Sequence, residues 1–217
     1  MLNHADVSVL VDPFISDNPL AQGVVTEGEL NPDFILLTHA HGDHWGDTVS
    51  IAARSGAQVV SNFEIATYLT EKHGYENVLG MNTGGSASFE WGRITVTDAR
   101  HSSSFPDGTY GGNPVGFIIE IGGKIVYAMG DTCPFPEMAW YAEDFDIDVA
   151  LMPIGDCFTM GPESSIRAAN MTKAGIFIPI HHSTFPPIQV DMPAWEKLMM
   201  RAGHATSVLA PGGSIEF

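Results

Sequence analysis

Short apolar runs alternate with amphipathic stretches at both ends of the chain, while the middle is patterned for strands alone. VSVLV (7–11) and FILLT (34–38) are brief, β-branched and flanked by polar or turn-forming residues, which predicts buried strands. The intervening DPFISDNPLAQGVVTEGELNPD is rich in Pro, Gly and Asn and predicts a loop. A helix is predicted from Asp47 to Ser55, closed by Gly56. AQVVS (57–61) then predicts a strand, and Asn62 an N-cap for a helix running to Gly74. In the middle, SASFEWGRITVTDA (86–99) predicts two strands about a tight turn at Gly92. VGFIIEIGGKIVYAMG (115–130) predicts a hairpin turning at Gly122-Gly123.

Alternation then resumes. DVALMPI (148–154) and IFIPI (176–180) predict strands around a helix in PESSIRAANMTKAG (162–175), with Pro in its first turn and Gly at its end. Asp191 is predicted to cap a helix reaching Gly203, and TSVLA (206–210) to close the chain as a strand. Helices in the outer thirds around a strand-rich centre predict two sheets packed face to face with helices outside. That is four layers in one domain spanning residues 1–217.

Composition narrows the function. With 217 residues and 44% hydrophobic side chains, a sizeable core can be buried. No apolar stretch is long enough for a membrane span, and the start MLNHADVSVLVDPF has no basic segment or cleavage site of a secretory leader, which favours the cytoplasm. Nine Lys+Arg against 26 Asp+Glu give a net charge of −17, so a nucleic-acid partner is not expected. Two cysteines, Cys133 and Cys157, are too few for a disulfide framework and are read as reduced thiols.

The chemistry begins at LLTHAHGDHWGD (36–47), where His39, His41, Asp43 and His44 crowd a loop after a strand. His39 and His41 share a side if the chain stays extended, and Gly42 lets the backbone turn before Asp43 and His44. One loop can therefore offer two histidines to one metal and an Asp-His pair to another. His101, Asp131 and His181 each follow a predicted strand as well. Together these seven are enough for two metals with a position left for water, whereas a structural site closes with four protein ligands.

These stretches, with VDPF, HSSS, AMGDT, LMPIGDCFTMGP and PIHHSTFPP, resemble the metallo-β-lactamase superfamily, and within it the small single-domain metal-dependent hydrolases of uncharacterised substrate. The resemblance runs from Asp12 to the end and implies a four-layer αββα sandwich. It implies that His39, His41 and His101 hold a first metal, that Asp43, His44 and His181 hold a second, and that Asp131 bridges both. Asp12 would orient the ligand loop from behind, as an alternative to a plain turn before Pro13. Asp156 and His182 are candidate substrate contacts. Zinc is the expected metal, with manganese or iron as alternatives.

Two departures stand out. Relatives begin with a further strand, so this chain starts inside what would be the first hairpin; Val7–Val11 would then be an exposed edge, favouring self-association. His182 stands where many relatives have Tyr. A bound dication lowers the pKa of water to about 7, so a bridging hydroxide, with Asp43 and Asp131 in the catalytic centre, would attack a small ester, lactone or amide. Phosphodiester hydrolysis is the alternative, with Arg100 as the cation it would want. A non-catalytic metal-binding or interaction protein is the alternative of another class. The loop from Ser102 to Pro114 and FTMGP are expected to shape the pocket.

Overall fold

The computed structural model describes all residues, 1–217. The first sheet takes the order β1-β2-β3-β4-β5, from Leu2–His4, Val7–Val11, Phe34–Leu36, Gln58–Asn62 and Val78–Met81. β1 pairs antiparallel with β2, and the other neighbours are parallel. The second sheet takes the order β11-β10-β9-β8-β7-β6. Its strands are β6 Ser86–Phe89, β7 Gly92–Asp98, β8 Val115–Ile121, β9 Lys124–Ala128, β10 Val149–Pro153 and β11 Ile176–Ile180. β6 to β9 form an antiparallel meander, and β9, β10 and β11 run parallel.

Side-chain alternation assigns each strand face to a layer. In the first sheet Val9, Leu36 and Val60 face Ile94, Val96, Phe117, Ile119 and Val126 of the second, forming the core between the sheets. Their sequence neighbours Leu10, Ile35 and Val59 face the other way. They pack under α1 (Gly42–Trp45), α2 (Thr48–Ser55) and α3 (Phe63–His73). The second sheet turns Ile118, Tyr127, Ala150, Met152 and Phe177 outward onto α4 (Met138–Asp144), α5 (Pro162–Thr172) and α6 (Met192–Arg201). Each fully buried aliphatic side chain in these layers contributes about 1.5–3 kcal/mol. Buried Trp195 of α6 also donates from Nε1 to Ser165 Oγ at 3.1 Å, which ties α6 to α5. The four layers therefore match the expected sandwich.

Several local expectations need correction. Val7–Val11 is not an open edge: Leu2–His4 pairs with Val7–Val9 and takes the outer position, so the predicted drive to self-association loses its basis there. TSVLA makes a single bridge, Thr206 to Phe177, and Leu209 then leaves the sheet edge to pack on the core between the sheets. The tight turn in 86–99 is at Glu90 and Trp91, with Gly92 already in β7. α5 closes at Lys173, in the left-handed region at φ 51°, and Gly175 beyond it donates its N–H to Ile147 O, just before β10. β5 and α4 carry too little pattern to be read from sequence.

Candidate metal centre

Every chemistry-bearing residue lies just past the carboxyl end of a strand. β2 delivers Asp12, β3 the loop with His39, His41, Asp43 and His44, β7 His101, β9 Asp131, β10 Asp156, and β11 His181 and His182. These strand ends lie on one side of the sandwich, where open α/β sheets usually place ligands.

The structure brings seven of these residues together. His39 Nε2 lies 3.0 Å from His41 Nδ1, which lies 3.3 Å from His101 Nε2. His181 Nε2 lies 3.3 Å from Asp43 Oδ2, and His44 Nε2 lies 3.9 Å from it. Asp131 stands between the two groups. Its Oδ2 is 3.1 Å from His181 Nε2, 3.3 Å from His44 Nε2, 3.6 Å from His101 Nε2 and 4.0 Å from His39 Nε2. Within each of the trios His39/His41/His101, His39/His44/Asp131 and Asp43/His44/His181 the donor atoms lie within 4.8 Å of one another, close enough for each to share one cation.

Two features of the cluster fit a metal. Buried His44 Nε2 and Asp131 Oδ1 have no hydrogen-bond partner. An unpartnered buried polar atom is costly, and a cation bound among these side chains would relieve that cost. Conversely, the far ring nitrogens of His44 and His39 are held, whereas buried His181 Nδ1 has no partner. Asp12 Oδ2 accepts from His44 Nδ1 at 2.8 Å, and Thr38 Oγ1 lies 3.0 Å from His39 Nδ1.

Electrostatics polarise the cluster. Burial pushes His39 well below the ordinary histidine pKa, helped by the surrounding imidazoles. Burial opposes charge on His44 too, but the Asp131 and Asp12 carboxylates outweigh it and raise its pKa well above 6.5. Burial likewise works against ionised Asp43 and Asp131. A hydrogen bond from His181 and the nearby His44 nevertheless bring Asp43 down to about 2. His44, His181 and His101 lower Asp131. Without metal, the site therefore keeps its carboxylates ionised and concentrates its proton on His44.

The backbone is strained where it aims these groups. Asp12, His181 and Asp156 have φ of 44°, 50° and 67°. Non-glycine residues are uncommon there and cluster at functional sites. Two glycines permit the close approach. A Cβ on Gly130 would come within 2.7 Å of Val115 O and 3.0 Å of Thr38 Cβ, and one on Gly155 within 2.3 Å of His181 O. Asp47, at the end of the histidine loop, accepts from Ile15 and Ser16 N–H at 2.8 and 2.9 Å and so fixes the turn that carries Asp12.

The remaining candidates are placed less centrally. Asp156 is exposed and serves a turn: its N–H donates to Met160 O, and its O accepts from Thr159 N–H. His182 is half-buried, with Nδ1 3.2 Å from Ser183 Oγ. Cys133 and Cys157 are free and exposed. Arg100 is engaged elsewhere, bonded to Glu137 at 2.9 Å with its guanidinium 5.1 Å over the Phe135 ring.

The loop from Ser102 to Pro114 is pinned beside the site. Buried Phe105 stacks on Tyr68 at 3.6 Å and meets Trp45 edge-on at 5.0 Å. Ser103 Oγ accepts from Ala40 N–H, between the first two histidines, and donates to Gly111 O. Sequence reasoning missed Thr38, Asp47 and Ser103. The first two lay inside the quoted LLTHAHGDHWGD stretch, and Thr38, directly before His39, was the available signal.

The comparisons agree with this architecture. The family model described as the beta-lactamase superfamily domain matches residues 8–182. A UPF0173 metal-dependent hydrolase of Salinibacter ruber is 44% identical over 95% of this chain and 91% of its own length. One from Thermus thermophilus is 46% identical over 98% and 92%. Among solved structures, the metallo hydrolase Igni18 from Ignicoccus hospitalis superposes with a TM-score of 0.87 at 36% identity, covering 99% of this chain and 93% of that one. The chain thus belongs to the metallo-β-lactamase superfamily, among its metal-dependent hydrolases.

Proposed function

We propose that this chain hydrolyses a small uncharged ester, lactone or amide at a centre of two divalent ions, with zinc as the metal and manganese or iron as alternatives. The observation that supports the reading best is Asp131 Oδ2, which lies 3.1–4.0 Å from the Nε2 atoms of four histidines belonging to both groups of ligands. In this reading His39, His41 and His101 hold one ion, Asp43, His44 and His181 hold the other, and Asp131 bridges them. Two dications bound there would supply water acidified to a pKa of about 7 and polarisation of the scissile carbonyl. The chain's own work is positioning: Asp12 and Thr38 hold His44 and His39 so that their Nε2 atoms face inward. Asp43 stays ionised into acid, as a ligand or proton acceptor must.

The rim favours an uncharged substrate. The loops at residues 12–33, 39–47, 99–114, 129–137, 154–161 and 181–190 contain no Lys and a single Arg, Arg100. That guanidinium already bonds Glu137, so a phosphodiester would meet no free side-chain cation at the mouth.

Turnover of metal-loaded protein on aryl esters, lactones, amides and bis-aryl phosphates tests the reading. Hydrolysis of the carboxyl substrates is expected. Hydrolysis confined to the phosphates would overturn the substrate class, and two bound ions with no turnover at all would favour the non-catalytic alternative.

A further inference from the structure

We infer that Thr38 is a positioning residue through which one carboxylate, Asp12, sets the imidazole tautomer of a ligand in each half of the metal centre. The inference rests on the binuclear reading above.

The hydrogen bonds leave little freedom of direction. Asp12 Oδ1 accepts the backbone N–H of Thr38 at 2.8 Å. Its Oδ2 lies 2.7 Å from Thr38 Oγ1 and 2.8 Å from His44 Nδ1. A carboxylate only accepts, so both neighbours must donate to it. Thr38 has one hydroxyl proton. Once that proton points at Asp12, the oxygen can only accept from His39 Nδ1, 3.0 Å away. His39 therefore carries its proton on Nδ1 and presents the Nε2 lone pair to His41, His101 and Asp131. His44 donates from Nδ1 directly to Asp12, which leaves Nε2 as its metal-facing atom. Thr38 is fully buried, so no water competes for the hydroxyl. A side chain serving only the strand end would donate to a nearby backbone carbonyl; this one donates to the carboxylate that also holds His44.

The two arms should separate genetically. Thr38→Val keeps the shape and removes the hydroxyl that links Asp12 to His39, leaving the direct Asp12–His44 bond in place. The neutral His39 can then move its proton to Nε2 and donate to His41 Nδ1, 3.0 Å away, which blocks the first metal position. Asp12→Asn disturbs both arms. Thr38→Ser restores the hydroxyl.

The experiment has two readouts. In metal-free protein, nitrogen-15 NMR of the histidine side chains should show His39 protonated on Nδ1 in wild type and Thr38→Ser, and shifted toward Nε2 in Thr38→Val. In zinc titrations, Thr38→Val should weaken by roughly 10–100-fold the ion that His101→Ala also weakens, and spare the ion that His181→Ala weakens, while Asp12→Asn weakens both. Equal weakening of both ions by Thr38→Val, or His39 protonated on Nε2 in wild type, would overturn the inference. If wild type binds no second ion, the binuclear reading fails, and the tautomer measurement still decides the role of Thr38. If Thr38→Val does not fold, Thr38→Ala is read by the same two measurements, and an unchanged His39 tautomer in it overturns the inference.

Discussion

Asp131 carries the most at the scale of single residues. It is buried among four imidazoles, and its negative charge is what would let two dications sit close together at low effective dielectric. Asp131→Asn preserves shape and removes that charge. It is expected to weaken metal binding by more than the roughly 10–100-fold typical of an outer hydrogen-bond partner. It should also cost more second-ion affinity than His101→Ala, as read by calorimetric titration. Normal binding of two ions by Asp131→Asn would exclude the bridge.

His44 makes a separate prediction about protons. Its pKa in the metal-free protein is raised above 6.5, so its stabilising contribution is complete below that value and is lost as pH rises through the raised one. A cation takes His44 Nε2 only after the proton leaves. Metal binding near pH 7 should therefore release protons, and affinity should fall as pH falls. Calorimetry in buffers of different ionisation enthalpy measures this; a heat independent of buffer would count against the assignment. Which side chains cluster was largely legible, because each candidate ligand follows an apolar run. The Thr38 relay was not, since it depends on the positive φ of Asp12 and on side-chain directions that spacing does not encode.

At the scale of elements, caps and turns were read correctly where one side chain decides them. Asn62 accepts from Ile65 N–H and starts α3, and Gly122-Gly123 turns the β8–β9 hairpin. Asn62 also donates to Gly111 O and Asn113 O at 2.7 and 2.9 Å, which ties α3 to the loop beside the metal centre. Asn62→Ala should therefore cost more than the ~1 kcal/mol of a lost cap. It should also raise protease sensitivity within residues 102–114; a melting shift with no change in cleavage would show the loop is held without it. Gly155→Ala tests the strand-end geometry, since the added methyl would collide with His181 O. A loss of about 1–3 kcal/mol is expected with a weakened His181-side ion, and unchanged melting and binding would refute the close approach. Elements failed to read where tertiary contacts decide them. TSVLA has strand composition but only one bridge to β11, and Leu2–His4 is a strand only because Val7–Val9 lies beside it.

At the scale of the whole molecule, two sheets each supply part of one centre. The first sheet brings Asp12, His39, His41, Asp43 and His44, and the second brings His101, Asp131 and His181. A metal ion bound across them would stabilise the sandwich by mass action, by about 4 kcal/mol when free metal is 1,000 times Kd. The four-layer arrangement was readable because helix and strand periodicities are segregated along the chain, whereas strand order depends on contacts between distant segments. The sharpest test of the account counts ions. Metal-free protein titrated with zinc, and then analysed for zinc per chain after removal of excess, should hold two. One ion per chain, with no second uptake at any concentration that leaves the protein folded, would contradict a centre built on Asp131.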